Sequence, residues 1–188
     1  MQIVNSFEVD ASADAVYAFL LDVNRVVQCM PGAQLSKVVD PQTFEGQIKI
    51  KVGPISVSYN GIARITDRDD ARRTATLQGE GREIAGSGSA RASALMAVSE
   101  RPGGASVTFT SDINVAGRVA QFGRGIMEDV SRRLVGEMAR CIKAQLEGSA
   151  TGLTDAAEGT QSGSSLDAVG LLGDVVKDRF KKRFGGGQ

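Results

Sequence analysis

The strongest constraint on this chain is a proline-free stretch, residues 117–146. In it Val119, Phe122, Ile126, Val130, Leu134, Met138, Ile142 and Leu146 recur at steps of three and four. That is the period of one helix face. Arg124, Asp129, Arg132, Arg133, Glu137, Arg140 and Lys143 lie on the other side and favour water. The spacing predicts one helix over 117–146, roughly 45 Å long. A helix of that length needs a large apolar surface to lie against, and the preceding residues look like that surface.

Residues 1–9 largely alternate, with Ile3, Phe7 and Val9 on one face, which predicts a strand. Ser12 is placed to cap a helix whose apolar face is Val16, Phe19, Leu20 and Val23, continued by Val26, Val27 and Met30. Pro31-Gly32 stops it, and a break near Asn24 would divide it into two short parts. Six strands are predicted next, over 34–39, 44–52, 55–66, 74–84, 88–98 and 105–115. They are punctuated by Asp40-Pro41-Gln42, Gly53-Pro54, the charged 67–73 segment and Arg101-Pro102-Gly103-Gly104. Strands in a row joined by short turns form an antiparallel meander. The expected class is α+β: a curved antiparallel sheet of about seven strands around a long C-terminal helix, with a short broken helix after strand 1.

Two adjacent strands carry oddly small side chains on one face. Ala75, Leu77, Gly79 and Gly81 alternate in one, and Gly88, Ala90, Ala92 and Ala94 in the next. Either the helix backbone comes close there, or the sheet bends, or a cavity remains that suits an apolar ligand. The candidate cavity wall comes from inward strand positions and the helix face: Ile48, Ile50, Val57, Tyr59, Leu77, Met96, Phe109, Phe122, Ile126, Met127 and Val130. Each of these also suits plain core packing. Tyr59 can offer its hydroxyl to a ligand carbonyl or sit half-buried in the sheet. Arg82 and Glu83 read as a polar lip or as a solvated pair.

Composition narrows the chemistry. The chain has 188 residues, 22 basic and 22 acidic, and no histidine or tryptophan. Charge balance gives no global pull toward nucleic acid or membrane. Without histidine there is no Ser–His or Cys–His nucleophile pair, no His metal site and no His general base. Neither GxGxxG nor GxxxxGK[ST] occurs. No apolar run is long enough to span a bilayer, and the N-terminus does not read as a secretory signal. Cys29 and Cys141, single and far apart, are expected to be two buried reduced thiols in a cytoplasmic protein. No metal site, covalent cofactor or catalytic residue is expected.

The chain divides into a domain over 1–147, a linker over 148–165 that is rich in glycine, serine and threonine, and a segment over 166–184. In that segment Leu166, Val169, Leu172, Val176 and Phe180 share a helical side, with Phe184 near it. Lys177, Arg179, Lys181, Lys182 and Arg183 against Asp174 and Asp178 give five positive and two negative charges. A short basic amphipathic helix on a tether reads as an interfacial membrane anchor, as a helix that docks on a protein partner, or as one packed back on the domain.

Three stretches, DVNRVVQCMPGAQL at 22–35, KVGPISVSYNG at 51–61 and GRVAQFGRGIM at 117–127, resemble the carbon monoxide dehydrogenase G-subunit family. The element order is similar to the helix-grip fold of the START and Bet v 1-like (SRPBCC) superfamily. The resemblance covers residues 1 to about 147. It implies a non-catalytic partner of a molybdenum-containing carbon monoxide dehydrogenase or a related molybdenum hydroxylase. It also implies a peripheral place on the inner face of the cytoplasmic membrane, among its lipids. The wider superfamily holds apolar ligands between sheet and helix. Together with the small-residue faces and the basic tail, it leads to the expectation of a bound quinone, menaquinone or ubiquinone, or another lipid. The competing expectations are an adaptor without ligand and a cyclase- or hydrolase-type enzyme.

Overall fold

A computed structural model describes residues 1–151, with side chains to residue 147. The order is β1 (Gln2–Val9), α1 (Ala13–Leu21), α2 (Val23–Cys29), β2 (Ala33–Asp40), β3 (Thr43–Val52), β4 (Ile55–Asp69), β5 (Thr74–Glu83), β6 (Ser89–Arg101), β7 (Gly104–Ala116), a single 3-10 turn (Arg118–Phe122) and α3 (Gly123–Thr151). The seven strands form one sheet in the order β1-β7-β6-β5-β4-β3-β2, every pair antiparallel. This is the expected curved sheet gripping a C-terminal helix.

Local chemistry accounts for the helical breaks. Ser12 Oγ accepts from the Ala15 N–H, and Asp22 Oδ1 accepts from the N–H groups of Asn24 and Arg25. Asp22 thus ends α1 and caps α2, two residues before the expected break. The expected continuous helix from 117 is divided as well. Gly117 and Gly123 take φ values of 90° and 72°, so the chain makes one 3-10 turn between them before α3 begins. That kink drives Val119 inward to 3 % exposure. At its other end α3 runs to Thr151, four residues past the expected end of the domain at 147. The linker beyond that point and the amphipathic segment at 166–184 lie outside the described residues.

Two apolar clusters form on the sheet's inner face. The first joins α1, the C-terminal half of α3 and the sheet through Val9, Val16, Phe19, Met96, Val107, Met138 and Ile142. Large side chains removed from water in this way contribute about 1.5–3 kcal/mol each. The second joins Val52, Val57, Tyr59 and Val119, with Ile48, Ile50, Phe122, Met127 and Val130 packed on them. On the outer face, Glu80 bridges Arg64 and Arg91 at 3.7 and 3.6 Å.

The cysteines are not free thiols. Cys29 at the end of α2 is joined to Cys141 on α3, their Cα atoms 5.2 Å apart. The 112-residue separation hid the pair, because only the packing of α2 against α3 brings them together. Gln145 Nε2 lies 3.5 and 3.7 Å from the two sulfurs. The cysteines therefore no longer argue for a reducing compartment. By the chain-entropy model, closing a loop of this length stabilises the fold by about 4–5 kcal/mol. Cys141→Ser, or reduction, should lower the free energy of unfolding by that order, measured by denaturant titration. Thiol labelling of the unfolded chain should find no reactive cysteine before reduction and both after it.

Candidate functional site

The site is built around a patch of small side chains across the three central strands. The strand register aligns Ala63, Gly79 and Ala92 in one inward row, and Gly61, Gly81 and Ala90 in the next. Ala63 and Ala92 point to the inner face yet are exposed. A Cβ placed on Gly79 would meet nothing within 4 Å. The inner face is therefore open here, with an apolar cluster on either side.

Helix α3 does not close the gap. None of its residues before Met138 is fully buried, and Ile126 is 38 % exposed. Added Cβ atoms at Gly123, Gly125 and Gly136 would also meet nothing. The first half of the helix runs beside β1, where Asn5 Nδ2 donates to Ser131 Oγ at 2.8 Å and Arg124 donates to the Gln2 carbonyl at 3.2 Å.

The structure separates the eleven expected wall residues into groups. Ile48, Ile50, Val57, Tyr59, Phe122, Met127 and Val130 gather in the second cluster, at one end of the open patch. Leu77, Met96 and Phe109 belong to the first cluster, at the other end. Met96 is 1 % exposed, and Phe109 stacks on Phe7 with centroids 6.3 Å apart. Ile126 is exposed and joins neither cluster.

At the second cluster the chain also buries a charge. Glu83, expected as half of a solvated pair with Arg82, is 8 % exposed and forms its ion pair with Arg118. Arg82 stays exposed. The Gly88 N–H donates to Glu83 Oε2 at 3.3 Å. Three glycines make room for the carboxylate and the chain around it. A Cβ on Gly86 would lie 2.6 Å from Glu83 Cδ, and one on Gly88 2.5 Å from Oε2. One on Gly117 would lie 2.7 Å from Gly88 Cα. The alternation Ala75, Leu77, Gly79, Gly81 continues to position 83, so register alone would have turned Glu83 inward. Arg118 had no such signal, because its place depends on the 3-10 turn.

Tyr59 faces Glu83 directly across the β4–β5 ladder. The residue is 5 % exposed, and its hydroxyl is sealed without a hydrogen-bond partner. Tyr17 provides the contrast: its hydroxyl lies 3.0 Å from Asp70 Oδ1 and 3.1 Å from the Thr74 carbonyl oxygen. Among the described residues no group of three His, Cys, Asp or Glu side chains is placed to hold a metal. No helix among them is long and apolar enough to cross a membrane.

A seven-stranded antiparallel sheet that grips a long C-terminal helix defines a helix-grip protein. Solved structures with this fold include a conserved protein from Geobacillus kaustophilus. It is 19 % identical, with a TM-score of 0.71, covering 79 % of this chain and 97 % of that one. The Zhui aromatase/cyclase from Streptomyces sp. R1128 is 16 % identical, with a TM-score of 0.56 and coverages of 85 % and 99 %. Ara h 8.0201 is 10 % identical, with a TM-score of 0.53 and coverages of 79 % and 98 %. At these identities the likeness is one of fold. No curated protein sequence matches the chain. The family model for the carbon monoxide dehydrogenase G subunit (CoxG) matches residues 6–147, most of the chain, and the chain belongs to that family. The family's role is that of an accessory protein associated with carbon monoxide dehydrogenase.

Both tyrosines hold their protons more tightly than a free phenol. Burial is the main cause for each; Asp70 adds to it at Tyr17 and Glu83 at Tyr59, while Arg68 and Arg118 act in the opposite sense. The unfolded chain ionises these groups near pH 10. Their contribution to stability is therefore complete below about pH 10 and is lost as pH rises through the higher folded values. With no tryptophan to obscure the phenolate band, a spectrophotometric titration should show both tyrosines ionising above pH 10.0 in the folded chain. The denaturation midpoint should be level up to about pH 9 and fall beyond about pH 10.

Proposed function

We propose that this chain is a non-catalytic accessory protein of a molybdenum-containing carbon monoxide dehydrogenase or related hydroxylase. It carries an apolar ligand, a respiratory quinone or another lipid, in the groove between sheet and α3. In this role it links the enzyme to electron acceptors in the inner face of the cytoplasmic membrane. The observation that carries the ligand reading is the open patch at Ala63, Gly79 and Ala92, flanked by two apolar clusters. An open inner face bounded by apolar side chains favours a molecule with few polar groups.

The non-catalytic reading draws support from Glu83. It is the one buried carboxylate among the described residues, in a chain without histidine, and its two oxygens accept from Arg118 and the Gly88 N–H. Those contacts give it a structural task, holding the 3-10 turn to the end of β5. The Zhui protein shares the fold and is an aromatase/cyclase, so a reaction on a ring-forming substrate is the alternative that assays must test.

Mass spectrometry of lipids extracted from the protein, purified from its native host, should find a long apolar molecule. Gly79→Phe places a ring in space that is empty in the structure. It should leave stability within about 0.5 kcal/mol and remove most of the bound lipid. Wild-type protein with no lipid would leave the adaptor reading, and a Phe variant that keeps its lipid would place the ligand elsewhere.

The membrane part of the proposal rests on the sequence of residues 166–184. Basic side chains near an anionic surface contribute about 1 kcal/mol each, and the segment has five of them. Deleting residues 164–188 should abolish most co-sedimentation with vesicles containing anionic lipid. Unchanged sedimentation would remove the anchor.

A further inference from the structure

The hydroxyl of Tyr59 has no structural role in the described chain. It is buried, it meets no acceptor, and the side chain around it is packed as a phenylalanine would be. A sealed hydroxyl without a partner is a net cost to the fold, because it gives up its bonds to water and gains none. The chain's other tyrosine shows that this is not general here, since Tyr17 reaches two oxygens. Tyr59 also stands at the edge of the small-residue patch: a Cβ on Gly81 would lie 3.2 Å from Tyr59 Cβ.

We propose that Tyr59 anchors the head of the ligand, its hydroxyl donating a hydrogen bond to a neutral acceptor oxygen of the carbonyl class at the end of an apolar molecule. The proposal rests on the apolar-ligand reading above and adds which ligand atom is recognised and by which residue. A neutral oxygen fits better than a carboxylate. Glu83 sits directly across the strands with its negative charge, and the nearby cation, Arg118, is already paired with it. The rest of the molecule would lie along the patch at Gly79, between the two apolar clusters.

The cover over this end is the 3-10 turn Arg118–Phe122. Its Val119 and Phe122 pack in the same cluster as Tyr59, and Arg118 clasps Glu83. Gly117 and Gly123 bracket the turn at positive φ, and the Arg118 side chain is 58 % exposed, so the clasp lies at the solvent surface. Movement of this turn is the route by which the head reaches the hydroxyl.

Tyr59→Phe tests the proposal, with two apolar probes: decylubiquinone, which has ring carbonyls, and decylbenzene, which has no acceptor oxygen. Equilibrium partition into full-length protein below the probes' aggregation limits gives the affinities. The expected result is that the substitution weakens decylubiquinone binding about tenfold, the worth of one buried hydrogen bond, and leaves decylbenzene binding unchanged. The variant should melt at or above the wild-type temperature. An unchanged affinity for decylubiquinone, or an equal loss for both probes, overturns the anchor and leaves the groove. A clear fall in melting temperature also overturns it, because the hydroxyl would then have a structural partner. Failure of wild type to bind either probe overturns the apolar-ligand reading itself.

Discussion

Helix α3 is buried in the core only through its C-terminal half, and the shape of the inner face follows from that. Met138, Ala139 and Ile142 are buried near its C-terminal end, where the disulfide ties the helix to α2. Toward the N-terminus it leans on β1 and leaves the central strands uncovered. An ordinary core would fill such a gap with large side chains, since unfilled volume forfeits contacts. Here three neighbouring strands present glycine and alanine instead. The space persists because the strands beneath it carry only Ala63, Gly79 and Ala92 there.

The second cluster serves as the end wall of that space, and it is an unusual wall because it encloses a charge. Burying a carboxylate costs several kcal/mol unless it is paired and hydrogen-bonded. Glu83 meets both conditions, through Arg118 and the Gly88 N–H, and glycines at 86, 88 and 117 leave the room it needs. The pair fastens the 3-10 turn to the end of β5. The turn in turn places Val119 and Phe122 over Tyr59. Electrostatics thus position an apolar lining, and the element most exposed to change is the short turn between two positive-φ glycines.

Much of the architecture was legible in the sequence, for reasons that differ by element. Strands such as β3 were readable because Phe44, Ile48, Ile50 and Val52 alternate against Glu45, Gln47, Lys49 and Lys51, and side chains on a strand must alternate between faces. The stripe in α3 was equally plain. Other features were not readable. The helix was expected to start at 117, but two glycines at positive φ divide it, and apolar spacing carries no information about φ. Seven of the eleven expected wall residues fell together in one cluster, because periodicity identifies the inward face. The same periodicity could not say that Met96 and Phe109 would pack in the other cluster, or that Ile126 would stay exposed.

What the sequence by itself determined is the set of one-dimensional patterns: which faces are apolar, where helices are capped, and where small residues replace large ones. These are local, since each is enforced by the backbone's own period and by side chains a few positions apart. Only the tertiary structure decided the pairing of Cys29 with Cys141, of Glu83 with Arg118, and the isolation of the Tyr59 hydroxyl. Each of those depends on contacts between residues more than 20 positions apart. The sheet's register and the tilt of α3 set such contacts, and no local period encodes either one.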